Sequence, residues 1–376
     1  MNMACAGQAR MDRGADSRSL MLVVASFLAF VLYCRPLAAQ QAAAAAFNVG
    51  HKVLEVSRTQ GDEDPPPMTV ALWYPTQAAP SEHQYNDPDK TTTSVAMDAA
   101  PAPGPHPLIV FSHGYGGAGI ASTYLTEYLA SQGFVVAAPD HEDKNVIERT
   151  KSDTPLREKW YSYNVIKLAR SGKHFHHAAY AQRSKDVTRV IDELLNLNKT
   201  EGSSFRGTLN PDAIGVAGHS LGGYTALRVC GMSETENDPR VKAALLLSGG
   251  VFMFKAQDYK GLRVPVMMMY GEAETTAWRA WFLNNKAADT QRAYDNCTVP
   301  KYMMEIKGAN HFSFCQAIFN KKWPGLGQEK ARPAADVIKA YSLAFFRRWL
   351  LNDPKADEVL EATSPLFLLY KKQSKI

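Results

Sequence analysis

The sequence predicts an α/β fold in which a mostly parallel central sheet is covered by helices on both faces. Short apolar runs of strand type alternate with longer segments of helical periodicity. Several of these runs are continuously apolar, as expected of strands buried on both faces. Such alternation is typical of parallel sheets, because each parallel connection requires a crossover segment.

The composition supports one large globular domain. The chain has 376 residues, of which 45% are hydrophobic and 21% are charged. These fractions are ordinary for a globular protein with a sizeable core. The formal net charge of +5 is small for this length, so we expect no nucleic-acid partner.

Residues 1–40 are predicted to be a signal peptide or signal anchor. Three arginines precede an apolar run from Leu20 to Cys34. This run suits the central region of a signal peptide and is short for a membrane span of about 20 residues. We therefore expect a secreted, periplasmic or extracellular protein. The alternative is a membrane anchor formed by an uncleaved signal, because Arg35 directly follows the run.

Strand and helix patterns follow one another from residue 47. A catalytic domain is predicted over residues 47–354, followed by a C-terminal tail at 355–376. The predicted strands span 47–57, 68–74, 108–111, 134–138, 213–217, 243–247, 264–270 and 301–306, and the predicted helices span 122–131, 182–196, a segment after residue 220, and 334–350.

A long basic and aromatic stretch around residues 141–180 interrupts this alternation. It follows a strand, at the edge where α/β sheets bind ligands. A long insertion there is often a lid or binding loop. The alternative is a solvated excursion on the surface.

Three cysteines remain if the leader is removed. Cys230 falls on the apolar face of a predicted helix, where it reads as a small buried hydrophobe. Cys297 and Cys315 flank a predicted strand. We predict a disulfide between these two.

The strongest chemical signal is Gly218-His-Ser-Leu-Gly222, which matches the pattern G-x-S-x-G between a predicted strand and a predicted helix. The serine of this turn needs a strained backbone, and flanking glycines avoid clashes with it. Ser220 is therefore the predicted nucleophile. The backbone N–H of Leu221 is predicted to form half of an oxyanion hole.

A second glycine-rich loop, Ser112-His-Gly-Tyr-Gly-Gly117, ends the strand expected to neighbour the nucleophile strand. Glycines allow a backbone to approach a substrate closely. Tyr115 is predicted to give the second oxyanion N–H. His113 precedes the serine, and we interpret it as structural.

The general base should follow the nucleophile in the chain and lie after the last strand. His311 meets this condition, and it is the only histidine after Ser220. The acid that orients the base should follow the strand that ends at Gly271. Glu274 is the preferred candidate, and Glu272 is the second.

Apolar residues near these loops suggest an acyl pocket, although core positions would show similar spacing. Trp278 and Phe312 are the predicted substrate-binding residues. Ester hydrolysis by such a triad needs no cofactor and no metal, and the sequence indicates neither.

Five segments, in the same order along the chain, carry a resemblance to a known family: Trp73-Tyr-Pro75, Phe111-Ser-His-Gly114, Gly133-Phe-Val-Val-Ala-Ala138 followed by His141, Gly218-His-Ser-Leu-Gly-Gly223 and Ile306-Lys-Gly-Ala-Asn-His311. With these segments the chain resembles the secreted and type II platelet-activating-factor acetylhydrolases and the bacterial dienelactone-hydrolase-like esterases. The resemblance implies the α/β-hydrolase fold and calcium-independent hydrolysis of short or oxidised acyl esters, for example on phospholipids. Similar elbows and oxyanion tyrosines occur in bacterial cutinases and polyester hydrolases.

One position departs from the acetylhydrolases, in which the acid follows the strand after the nucleophile helix. Here that position reads Leu247-Ser-Gly-Gly250, without a carboxylate, which favours the broader esterase group. True dienelactone hydrolases use a cysteine nucleophile, so Ser220 argues against that reaction.

We therefore predict a serine carboxylic-ester hydrolase that acts through an acyl-enzyme on a small-molecule or lipid ester, with transient contact to a membrane or lipoprotein surface as a further expectation. A cutinase or polyester hydrolase is the alternative within the same class. A catalytically silent binding module is the alternative outside it, although the intact serine, histidine and glycine loops argue against this.

Overall fold

An eleven-stranded sheet forms the centre of the computed structural model, which describes residues 47–58, 66–87, 89–141, 150–151, 177–275, 285–316 and 328–374. The strands in chain order are β1 (Asn48–Val56), β2 (Met68–Thr76), β3 (Ser81–Gln84), β4 (Thr92–Met97), β5 (His106–Ser112), β6 (Val135–Pro139), β7 (Leu209–His219), β8 (Val241–Leu247), β9 (Val266–Gly271), β10 (Lys301–Ile306) and β11 (Phe367–Gln373).

The strand order across the sheet is β11-β10-β9-β8-β7-β5-β6-β2-β1-β4-β3. The strands from β10 to β6 run parallel to one another. Antiparallel pairs join β11 to β10 at one side and β2 to β6 at the other. The carboxyl ends of the parallel strands therefore meet at one edge, where ligands bind in such sheets.

Helices cover both faces of this sheet. Alternate residues of β5 enter different cores, Ile109 on one side and Val110 on the other. The predicted mostly parallel sheet with helices on both faces is confirmed. The helices are α1 (Thr123–Ser131), α2 (Ala181–Lys199), α3 (Leu221–Leu227), α4 (Lys286–Asn296), α5 (Gln328–Leu350) and α6 (Ala356–Glu361), of which α1 and α5 pack on one face and α2, α3 and α4 on the other.

The structure places more secondary structure at the two sides of the sheet than the sequence indicates. The segment between the second and third predicted strands contains β3 and β4, which are too polar to show a buried-strand pattern. Residues 355–376, predicted as a tail, include α6 and β11. Because β11 pairs with β10, the sheet continues past the predicted boundary at residue 354.

The predicted disulfide between Cys297 and Cys315 is wrong. Cys297 keeps a thiol at the end of α4, and burial raises the pKa of this thiol to about 12. The six residues of β10 lie between the two cysteines. A strand of this length spans about 20 Å, whereas the Cα atoms of a disulfide lie within about 7 Å of each other. Cys230 is buried, as expected.

The described ranges contain no helix that is both long enough and apolar enough to cross a membrane. Residues 1–40, and most of the insertion around 141–180, lie outside these ranges. The signal segment and the lid therefore stay predictions.

Candidate active site

Ser220 lies at a sharp turn between β7 and α3. Its backbone angles are φ 54° and ψ −115°, in a region that side chains other than glycine rarely adopt. Such strain persists only where the surrounding structure enforces it, and it marks functional positions. The turn raises the serine hydroxyl above the carboxyl edge of the sheet, as G-x-S-x-G predicts.

The two glycines of the motif are required by close backbone contacts. A Cβ at Gly222 would lie 1.8 Å from the carbonyl oxygen of Ser112, and a Cβ at Gly218 would lie 2.2 Å from the Gly222 backbone. The first turn of α3 thus packs directly against the end of β5. This contact brings the elbow and the second glycine loop together.

We expect Gly222→Ala to lower the free energy of unfolding by about 3 kcal/mol or more, because backbone rather than a flexible side chain occupies the space. Gly117→Ala is the matched control, since the added Cβ would meet nothing closer than 3.4 Å. Denaturant unfolding of both variants measures the effect. Equal stability of the two variants would contradict the packing described here.

His311 begins a 3-10 helix, His311–Phe314, that follows β10. Its Nε2 lies 3.0 Å from Ser220 Oγ. The helix is capped by the Asn310 side chain, which accepts a hydrogen bond from the Phe312 N–H. The expected histidine therefore lies within hydrogen-bond distance of the expected nucleophile.

Glu274 lies on the opposite side of the imidazole. Its Oε2 is 3.0 Å from His311 Nδ1, and its Oε1 accepts a hydrogen bond from the Gly271 N–H at 2.9 Å. The Glu274 side chain is 1% exposed. A carboxylate here favours the tautomer with the proton on Nδ1, which leaves Nε2 free to accept the proton of Ser220.

Glu272, the second candidate, contacts the backbone instead, where its Oε2 accepts a hydrogen bond from the Gly308 N–H at 2.8 Å. The two glutamates do not continue the strand, because β9 ends at Gly271 and residues 273–275 are helical. The helical turn directs Glu274 back toward the sheet edge.

Two residues outside the predicted triad contact its acid. The Ser248 hydroxyl donates a short hydrogen bond to Glu274 Oε2 and lies 2.7 Å from His311 Nδ1. Lys286 Nζ lies 4.0 Å from the same oxygen. Burial alone would raise the pKa of Glu274, but the Lys286 charge and the hydrogen bonds from His311 and Ser248 hold this pKa at about 2.

His219 positions the segment that carries His311. Burial, together with the nearby His311, lowers the pKa of His219 to about 3, so its ring is neutral. Its Nε2 lies 2.9 Å from the carbonyl oxygen of His311, to which it donates a hydrogen bond. The turn that carries Ser220 therefore holds the backbone of His311 in place.

The second glycine loop lies against Ser220. A Cβ added at Gly114 would lie 3.4 Å from the Ser220 Cβ, which is a van der Waals distance. Tyr115 is the residue that follows Gly114. The buried guanidinium of Arg183 donates to the carbonyl oxygens of His113 and Gly114, at 2.7 and 3.2 Å. This clamp fixes the loop that is predicted to carry an oxyanion N–H.

His113 has the structural setting that the sequence predicts. Its Nε2 accepts a hydrogen bond from the backbone N–H of His141 at 3.0 Å. The His141 ring in turn lies 2.9 Å from Ser112 Oγ and 3.0 Å from the buried Asp186 carboxylate. These polar groups join β5 to α2 below the loop.

The predicted substrate-binding residues are only partly described. Phe312 lies edge-on to His311, with ring centroids 5.6 Å apart. Trp278 lies outside the described residues. Phe314, another aromatic beside the base, is fully buried and stacks on His219, so it belongs to the core.

Sequence reasoning missed Ser248, Lys286 and Arg183. In the sequence the position of Ser248 shows only that a carboxylate is missing, and its positive φ of 47° is not visible there. In the structure Lys286 begins α4 and Arg183 lies in the first turn of α2, and both are buried. No sequence pattern shows that their charged ends turn inward.

Comparisons with known proteins agree with this fold. The model of the family described as platelet-activating factor acetylhydrolase, isoform II, matches residues 89–361. The platelet-activating factor acetylhydrolase of Gallus gallus is 24% identical over 289 residues, which cover 69% of this chain and 66% of that protein. The corresponding protein of Cavia porcellus is 24% identical over 275 residues, covering 67% of this chain and 59% of that protein. The chain thus spans two thirds or less of the length of these relatives.

Two further similarities fall outside the acetylhydrolases. Cutinase 2 of Thermobifida cellulosilytica is 22% identical over 256 residues, covering 67% of this chain and 71% of that protein. The solved structure of a ferulic acid esterase from Streptomyces cinnamoneus superposes with a TM-score of 0.60 at 26% identity, covering 87% of this chain and 98% of that one. The family match, the sheet order and the strand-turn-helix elbow agree with one another: the chain has the α/β-hydrolase fold and belongs to the platelet-activating factor acetylhydrolase, isoform II family.

Proposed function

We propose that the chain is a serine esterase that hydrolyses short-chain or oxidised acyl esters, including phospholipids that resemble platelet-activating factor. The observation that carries this proposal is the position of His311, which lies 3.0 Å from Ser220 Oγ through one nitrogen and 3.0 Å from Glu274 Oε2 through the other. This is the arrangement of a nucleophile, a general base and an orienting acid.

The proposed reaction runs through an acyl-enzyme. Ser220 Oγ attacks the ester carbonyl carbon while His311 Nε2 takes the hydroxyl proton. The backbone N–H groups of Leu221 and Tyr115 stabilise the oxyanion of the tetrahedral intermediate. The C–O bond to the leaving alcohol then breaks, and the imidazolium returns its proton to the alcohol. A water molecule repeats the sequence on the acyl-enzyme, which releases the acid and regenerates Ser220.

The acyl preference is inferred from the family match, because acetyl is the acyl group named in the family description. Phe312 stands edge-on to the base and is half-buried, so it is placed to line an acyl pocket together with Tyr115. The cutinase similarity supports the second candidate, a polyester hydrolase with an open groove. From its signal pattern, we also propose that the protein is exported.

A panel of p-nitrophenyl esters with acyl chains of two to twelve carbons tests the acyl preference. We expect kcat/KM for the acetyl and butyryl esters to exceed that for the octanoyl ester by about 10-fold or more. A single methylene that does not fit an apolar pocket lowers kcat/KM by about 10–200-fold at most. Rates that rise steadily toward long chains on emulsified substrate would contradict the proposal and indicate a lipase.

The substrate class is tested separately, by comparing a 2-acetyl phosphocholine lipid with a suspended aliphatic polyester film. Faster release of acetate from the lipid than of acid from the film supports the acetylhydrolase-like activity. The reverse result would favour the polyester hydrolase. Ser220→Ala serves as the control for uncatalysed hydrolysis in both assays.

A further inference from the structure

A lysine side chain is buried beside the proposed triad. Lys286 begins α4 and is 6% exposed. Its Nζ donates a hydrogen bond to the carbonyl oxygen of Gly249 at 2.7 Å and lies 4.0 Å from Glu274 Oε2. Lysine is almost never fully buried unless it is paired, because removing an ammonium group from water is costly. This position therefore needs a local reason.

The charges around Lys286 identify its partner. Asp289, on the same helix, has its own cation in Arg292, at 2.8 Å. Glu274 faces Lys286 from the turn after β9. The neutral ring of His219 and the base His311 face this acid from the nucleophile loop and from the segment after β10. Burial lowers the pKa of Lys286, and the charges of Glu274 and Asp289 oppose this effect.

Glu274 forms its hydrogen bonds with groups other than Lys286, so the lysine acts on this acid through its charge. Oε2 faces the Ser248 hydroxyl and His311 Nδ1, and Oε1 accepts from the Gly271 N–H. The Lys286 ammonium group lies 4.0 Å from Oε2, too far to form a hydrogen bond in place of these partners. It is near enough to favour the ionised carboxylate in a site sheltered from water.

We propose that Lys286 is a positioning residue of the active site, whose buried ammonium group keeps Glu274 ionised and directed at His311. This inference rests on the proposed function, in which Glu274 orients the base. By binding Gly249 as well, Lys286 links the acid to the segment that presents Ser248. The lysine touches neither substrate nor reacting atoms, so its effect reaches the reaction through Glu274.

The chain offers a matched control. Lys301 is also 6% exposed, and its Nζ also donates to a backbone carbonyl at 2.7 Å, that of Cys297. It is the first residue of β10, and its Nζ lies beside the carboxyl end of α4, over the ring of Tyr294. Lys286→Gln and Lys301→Gln therefore remove the same charge from similar surroundings, and only the first removes it from beside Glu274.

The test is the pH profile of kcat/KM with p-nitrophenyl acetate. The acidic limb of such a profile reports the protonation that prevents the His311–Glu274 pair from accepting the Ser220 proton. Removing the buried positive charge beside this pair makes that protonation more favourable, so we expect the acidic limb of the Lys286→Gln profile to move upward by about one pH unit. On the acidic limb the variant should then retain about a tenth of the parent activity, with a smaller loss on the alkaline plateau. In Lys286→Arg, which keeps the charge, the acidic limb should lie at the same pH as in the parent. The acidic limb of Lys301→Gln should also lie at the parental pH.

A Lys286→Gln profile that matches that of Lys301→Gln would overturn the proposal. If Lys286→Gln does not fold, the same change is made together with Glu274→Gln. Recovery of folding in the double variant supports the charge pairing, and continued unfolding overturns it. Ser220→Ala distinguishes the two levels of inference, because persistent activity there refutes the proposed function itself, whatever Lys286 does.

Discussion

Replacing Ser220 by alanine is expected to remove nearly all ester hydrolysis and to leave the fold intact. The hydroxyl that forms the acyl-enzyme is lost, whereas the contacts that hold the elbow involve backbone and glycine positions. Loss of a serine nucleophile lowers kcat by about 10⁶-fold in a well-studied protease. The alanine also keeps the strained φ of 54°, so it gives no relief of backbone strain that would complicate the comparison.

The measurement is p-nitrophenyl acetate turnover, with circular dichroism and thermal unfolding to show that the variant is folded. An organophosphate should add one adduct to the parent protein, located at Ser220 by mass spectrometry, and none to the variant. A folded alanine variant that turns over the ester near the parental rate would rule out Ser220 as the nucleophile. An adduct on another residue would do the same.

Replacing Glu274 by glutamine is expected to lower kcat by about 10³–10⁴-fold, as loss of an orienting acid does in other triads. Glutamine has nearly the same shape, so the change isolates the charge. The amide cannot neutralise the imidazolium, and its NH₂ group placed toward His311 Nδ1 would favour the wrong tautomer. It also leaves the buried Lys286 without its carboxylate. The variant should therefore lose some stability along with its activity.

Glu272→Gln is the matched control, because the same chemical change is made two residues earlier in the same turn. Its carboxylate accepts a hydrogen bond from the Gly308 N–H, which a glutamine oxygen can also accept. We expect kcat within a few-fold of the parent. If Glu272→Gln is the variant that loses activity, the acid has been assigned to the wrong residue. Near-normal rates in both variants would require an acid from another loop.

Local patterns in the sequence determined most of the sheet and its central motif. The apolar runs that became β5, β7 and β8 are buried on both faces, and a strand with two apolar faces has few alternatives to the middle of a parallel sheet. The elbow was equally predictable, because a serine between close-packed backbones requires glycine at Gly218 and Gly222. Polar edge strands such as β3 left no such pattern.

The order of residues along the chain also limited the choice of base. His311 is the only histidine after Ser220, so the fold class alone selected it. The acid was less constrained, because two glutamates follow the same strand. The end of β9 at Gly271 and the helical turn after it decided which carboxylate faces the imidazole.

The tertiary structure alone decided how this acid is held. Ser248, Lys286 and Glu274 are brought together from the ends of two strands and the start of a helix. The same holds for Arg183, which reaches from α2 to the loop that contains Tyr115. A sequence shows which residues carry charge, but the direction in which a long side chain turns depends on which segments pack around it. The sequence by itself thus determined the elbow that carries Ser220, the histidine expected beside it and the sheet that carries both, and packing determined the charges and hydrogen bonds around them.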